Sequence, residues 1–136
     1  MSALEKRPRV FVIDGERNDS LSLAMFLSQR GFDASSFTDP FDVLAAIRYE
    51  SPELVISNAT MPQLAGVNLA IQVLGRCPEF EVLLLSERAS IAELNEAASE
   101  SAHAFEVLSK PVQPTDILKM IQKMMQRPRL SRPLVG

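Results

Sequence analysis

Four side chains able to do chemistry stand where short apolar runs give way to polar residues. Leu54, Val55 and Ile56 form one such run, followed by Asn58, Thr60, the Met61-Pro62 pair and Gly66. The run suits a strand buried on both faces of a parallel sheet. The residues after it suit a loop, because the residue before a proline is pushed away from helix and glycine punctuates the turn. Asn58 therefore falls at a strand end. Asp14 closes RVFVID (9–14), Ser86 comes directly after FEVLLL (80–85), and Lys110-Pro111 stands after a last run at 105–108. In open α/β sheets ligands gather outside the carboxyl ends of the strands, so these are the positions at which a site is expected. At position 58 the group on offer is an amide, neutral and far less nucleophilic than a carboxylate.

The elements that must hold these residues alternate. Asn18 or Asp19 can cap a helix running to Arg30, where Gly31 ends it. Residues 32–37 form a weaker strand, diluted by Ser35 and Ser36, as an edge position allows. Asp39 before Pro40 predicts an N-cap with proline at the first helical position, and Phe41, Leu44, Ala45 and Ile47 are expected to form the buried face. Residues 66–76 carry Leu69 and Val73 at helical spacing before Pro78, and 90–100 read as a helix made acidic by Glu93 and Glu96. Thr115 can cap a last helix whose Ile117, Met120, Ile121 and Met124 point inward. Five βα units with apolar rather than alternating strands argue for an α/β fold: a single-domain, doubly wound parallel sheet covered on both faces. FEVLLL, the most apolar strand, is expected to be central.

Composition bounds the function. At 136 residues and 46% apolar content the chain is one domain's worth, large enough to bury roughly two-thirds of its unfolded surface. The divisions expected are an N-terminal extension (1–8), one domain (9–126) and an Arg/Pro-rich tail or linker (127–136) with Arg127, Arg129 and Arg132. Fourteen basic residues against seventeen acidic ones give a net charge of −3. That balance argues against nucleic-acid binding through this domain. Cys77 is the only cysteine, which excludes an internal disulfide and fits a reducing compartment. No apolar run exceeds five residues and the start, MSALEKRPR, lacks the apolar core of a signal peptide, so no membrane association and a cytoplasmic location are expected. His103 has no second ligand spaced to make it metal-binding, and Met120, Met124 and Met125 sit at core spacing on a helix.

The stretch PELVISNATMPQLAG (52–66) resembles the phosphorylation strand and loop of bacterial response-regulator receiver domains, and the resemblance runs from about residue 10 to 125. It implies a flavodoxin-like receiver fold with strand order 2-1-3-4-5. It places Asn58 at the phosphoryl-accepting aspartate and Asp14-Gly15, followed by Glu16, at the family's acidic pair, whose second member usually holds Mg²⁺. Ser86 matches the hydroxyl that meets the phosphoryl group. Lys110 matches the lysine that contacts it, followed by a proline typically in the cis form. Val107, three residues earlier, takes the place of the Tyr or Phe that swings inward on activation.

Three of these positions depart from the pattern. An acyl phosphate requires an ionised carboxylate, so phosphorylation at Asn58 is chemically excluded. A hard cation needs oxygen ligands, and Gly15 offers none. Valine has neither a phenol nor a large swing. Glu16 is read as solvated, able only in part to replace the lost carboxylate. An aspartate changed deliberately to block phosphorylation would leave Gly15 untouched, so the second loss favours natural degeneracy. With Asp14 against Lys110 the pocket sums to about zero, or about −1 if Glu16 points in. Mg²⁺ is then expected to bind weakly or not at all, with no other cofactor, and Asp14 to pair with Lys110.

The function expected is a non-catalytic pseudo-receiver, a protein-interaction module in two-component phosphorelay signalling whose partners are a histidine kinase or another regulator. The alternative is the receiver portion of a longer regulator whose effector domain, for example a DNA-binding one, lies beyond the tail. An enzyme or cofactor binder lacks support, since GERND after the first strand is no glycine-rich phosphate loop and no acid and base are paired. On the first helix Ser20, Leu23, Ala24 and Leu27 should face the sheet. Leu21 and Met25 then form a second apolar stripe on the outside, a surface for a homodimer or for the kinase-side partners that the family docks on this helix.

Overall fold

Strands with no polar face need cover on both sides, and that requirement organises the molecule. The computed structural model describes residues 7–58, 81–87 and 106–126. In chain order these form β1 (Arg9–Ile13), α1 (Arg17–Ser28), β2 (Asp33–Phe37), α2 (Pro40–Ala46), β3 (Leu54–Asn58), β4 (Glu81–Ser86), β5 (Glu106–Ser109) and α3 (Pro114–Met125). The helices expected at 66–76 and 90–100, Thr60, Met61-Pro62, Gly66, Cys77, His103 and the tail lie outside the described residues.

All four strand pairings are parallel, in the order β2-β1-β3-β4-β5. On one face Val10, Val12, Leu54, Ile56, Leu83 and Leu85 pack with Ala24 and Leu27 of α1 and with Ile117, Ile121 and Met124 of α3. The residues between them, Phe11, Ile13, Val55 and Leu84, are buried as well, so the sheet is covered on both faces, as a parallel sheet must be. β4 is interior, between β3 and β5, while β3 holds the centre. β2 is an edge and half exposed, anchored by the Phe37 ring 5.0 Å from that of Phe11.

Each helix starts or faces somewhat differently from the sequence expectation. α1 begins at Arg17 with Glu16 as its N-cap, ahead of Asn18 and Asp19. The cause lies upstream: Asp14 Oδ1 accepts the Glu16 backbone N–H at 2.9 Å, closing a turn that hands the chain from β1 directly into the helix. Gly31 ends α1 as expected, with φ +97°, while the Phe32 N–H reaches back to the Leu27 carbonyl. Asp39 caps α2 as expected, its Oδ1 accepting from the Phe41 N–H at 2.9 Å. The buried face, however, is Pro40, Val43, Leu44 and Ile47, and both Phe41 and Ala45 point outward. Proline at the first helical position takes the inward place, which sets the 3-4-7 spacing from residue 40 rather than 41. Pro114 also fixes the start of α3. It occupies the first helical position and makes Gln113, not Thr115, the N-cap, with the Asp116 carboxylate accepting the Gln113 N–H at 3.3 Å.

On α1 the inward set is Ser20, Ala24 and Leu27, with Leu23 half-buried, while Leu21 is 44% and Met25 55% exposed. Leu27→Ala opens a cavity in the core and should cost about 2–5 kcal/mol. Leu21→Lys, changing a surface residue, should cost no more than about 0.5 kcal/mol. Urea denaturation of the two variants checks the register of this helix.

Candidate functional site

Parallel pairing brings the carboxyl ends of the strands to one edge of the sheet. Asn58 is the last residue of β3 and Ser86 the last of β4; Asp14 follows β1, and Lys110 follows β5. The register pairs Asn58 with Leu85 and Ser86 with Ser109. The Lys110 N–H donates to the Ser86 carbonyl at 2.7 Å, pinning the chain as it leaves β5, and the Lys110-Pro111 peptide is cis, as the resemblance implied.

The central contact of the site is a hydrogen bond from Lys110 Nζ to Asn58 Oδ1, 2.8 Å long and partly buried. It corrects the expectation that Lys110 pairs with Asp14. Asn58 lies two strands from β5 and Asp14 three, at about 4.8 Å per strand, so the amide is the nearer acceptor. Asp14 is half-buried, and one of its oxygens holds the turn into α1. Ser86 is buried and donates its hydroxyl to the Glu87 carbonyl at 3.2 Å. Gly15 and Glu16 are exposed, and Val107 is half-buried in β5 opposite Leu84.

Asp14 and Lys110 share a cleft of about 570 Å³ with Asp19 and Glu87, over an apolar lining that includes Leu23 and Ile117. Asp19 and Glu87 are not among the site residues that the sequence points to. Glu87 stands one residue beyond the strand end that marks Ser86, and Asp19 reads in the sequence as a cap when it belongs to the first turn of a helix starting beside Asp14. Both signals are positional and visible only once the element starts are known. With them the described residues of the cleft supply three carboxylates and one ammonium, a balance of −2 among them rather than the expected zero or −1.

That charge is not by itself a site for a hard divalent cation. Mg²⁺ demands near-octahedral oxygen coordination at about 2.0–2.1 Å. Among the described residues no group of three or more His, Cys, Asp or Glu side chains is gathered closely enough to hold a metal. Asn58 adds to the mismatch. A carboxylate there would offer one oxygen to Lys110 and another to a metal, whereas an amide has a single oxygen, already accepting from Lys110, and an NH₂ group that only donates. Asn58 and Gly15 thus offer Mg²⁺ fewer side-chain oxygens than the family's acidic residues would.

A five-stranded parallel sheet in the order 2-1-3-4-5, with polar side chains collected at its carboxyl edge, defines the doubly wound class to which receiver domains belong. The response regulator receiver domain family matches residues 10–122, and the chain belongs to this family, a module of two-component response regulators. It is similar to the C4-dicarboxylate transport transcriptional regulatory protein DctD of Rhizobium meliloti, 26% identical over 90% of this chain and 26% of that protein. It is also similar to the response regulator MprA of Mycobacterium tuberculosis, 27% identical over 88% of this chain and 51% of that one. The chain thus spans about a quarter to a half of the length of these relatives. Among solved structures, a receiver domain from Clostridium thermocellum superposes with a TM-score of 0.80 at 24% identity, covering 90% of this chain and 98% of that one. NtrX from Brucella abortus superposes at 0.82 and 23% identity, covering 96% of this chain and 31% of that one. These two structures carry the fold.

The Lys110–Asn58 contact makes a prediction that separates it from an Asp14–Lys110 pair. Lys110→Met should cost about 1 kcal/mol, the net worth of one partly buried hydrogen bond. In double-mutant cycles Lys110→Met and Asn58→Ala should be non-additive. Lys110→Met and Asp14→Ala should add to within about 0.5 kcal/mol.

Proposed function

We propose that this receiver domain is a pseudo-receiver: a protein-interaction module in two-component signalling that does not carry a phosphoryl group at its acceptor position. The observation that carries the reading is the amide of Asn58 at the end of β3, hydrogen-bonded at 2.8 Å to the lysine that in the family contacts the phosphoryl group. Asn58 cannot form an acyl phosphate, Gly15 contributes no metal ligand, and Val107 supplies no aromatic switch. Mg²⁺ binds weakly or not at all. The partners are a histidine kinase or another regulator, met in the cytoplasm, and no nucleic acid is read through this domain. No helix among the described residues is long and apolar enough to cross a membrane.

The share of the relatives that this chain covers favours an alternative reading, in which the domain is the receiver portion of a longer regulator with its effector domain elsewhere in the polypeptide. Further coding sequence after Gly136 is the observation that separates the two.

Acetyl phosphate with millimolar Mg²⁺ should leave the protein unmodified by intact-mass spectrometry, and Mg²⁺ alone should give no saturable amide shifts at Asp14 or Asn58. Asn58→Asp should label weakly and Asn58→Asp with Gly15→Asp more strongly, because nucleophile and metal act as a unit. Full labelling of the single variant would mean that Glu16 already supplies the metal ligand.

Leu21 and Met25 are assigned to the partner surface, as a homodimer contact on α1. They flank a shallow groove shared with Ala34 and Ser36 of β2. Leu21→Glu with Met25→Lys should abolish self-association in sedimentation velocity and leave the thermal midpoint unchanged. A stable monomer in both forms would remove the assignment.

A further inference from the structure

The cleft between the start of α1, the ends of β4 and β5 and the start of α3 has a chemistry that neither phosphoryl transfer nor a hard metal accounts for. Its volume, about 570 Å³, lies within the roughly 300–1,000 Å³ usual for small-molecule sites. Part of its lining is apolar: Leu23, Leu85, Val112 and Ile117. Asp14, Asp19 and Glu87 bring carboxylates from three separate places in the fold, and among the described lining residues the one ammonium, Lys110, is directed to the neutral amide of Asn58. Among the described residues the cleft is therefore short of positive charge.

Two kinds of cation could meet that shortage. A hard divalent ion needs its oxygens gathered around one point, and the described carboxylates are not gathered. An organic cation has the opposite requirements. Its head is large enough to donate to carboxylates standing apart around a rim, and its stem covers apolar surface that water would otherwise wet.

We propose that this cleft binds a small organic monocation, a primary ammonium or a guanidinium on a short apolar stem. The head lies toward Asp19 and Glu87 and the stem against Leu23, Val112 and Ile117. The proposal rests on the pseudo-receiver reading, because a receiver loaded with Mg²⁺ and phosphate already holds its balancing charges.

The test titrates the ¹⁵N-labelled chain with phenethylamine and with butylguanidine, using 2-phenylethanol as the neutral control and phenylacetate as the anionic one. Both cations should give saturable shifts at Asp19, Leu23, Glu87 and Val112, with 2-phenylethanol about tenfold weaker and phenylacetate silent. Asp19 and Glu87 are exposed, so Asp19→Asn and Glu87→Gln should fold normally. Each should weaken phenethylamine binding about three- to fivefold, the size of an exposed ion pair. Equal binding of phenethylamine and 2-phenylethanol, or unchanged affinity in the double variant, would overturn the proposal. So would binding of an Arg-bearing peptide when neither small cation binds, an outcome that makes the cleft a protein contact. A Mg²⁺ titration keeps the levels apart: saturable shifts at Asp14 would sink the pseudo-receiver reading itself, while silence toward both Mg²⁺ and the amines would sink only the organic-cation site.

Discussion

Burial of both faces of one parallel sheet is the constraint on which the other features depend. Because β1, β3 and β4 have no face to spare for water, their register is fixed: a slip of one residue would exchange the set packed on α1 and α3 for the set packed on the other side. Fixed register and parallel direction together bring four strand ends level at one edge. The site is thus a by-product of packing. Asn58, Ser86 and Lys110 meet because β3, β4 and β5 stop together, with the Lys110 N–H on the Ser86 carbonyl as the last rung.

The chemistry at that edge is decided by the difference between two groups of nearly the same shape. Asn58 fills the space a carboxylate would fill and gives Lys110 an acceptor, so the scaffold around it needs no rearrangement. What it withholds is a negative charge, a nucleophile and a second oxygen. Gly15 withholds a ligand in the same neighbourhood. On the pseudo-receiver reading, the kept residues hold the architecture of the edge, and the changed ones are those through which phosphoryl chemistry would run.

Much of the fold was legible in the sequence because its signals are strong and local. Apolar runs of strand length, Gly31 after a helical segment and Asp39 before Pro40 all correspond to observed features. The helix starts were harder. The onset of α1 depends on a turn closed by Asp14, a residue that reads as the end of a strand. The faces of α2 and the start of α3 depend on prolines that are at once first helical residues and packing or positional markers. In the site, Asn58, Ser86 and Lys110 could be placed from motif and strand end alone. The partner of Lys110 could not, because it depends on which strands lie between β1 and β5, a property of the sheet order rather than of any local spacing. Asp19 and Glu87 escaped for a related reason, since their membership of the cleft is set by the start of α1 and the exit of β4.

The bond between Lys110 and Asn58 also bears on how such a domain behaves as a component. A contact between two full charges weakens as salt screens them and vanishes when the acid takes up a proton. A contact between a charge and an amide dipole has no carboxyl proton to gain, and with one partner neutral there is less for salt to screen. The tie between β3 and the chain leaving β5 therefore depends less on salt and acid than a pair of full charges would. On the pseudo-receiver reading proposed above, such a domain is a fixed resistor in a circuit of switches, its setting altered by what is pressed against it.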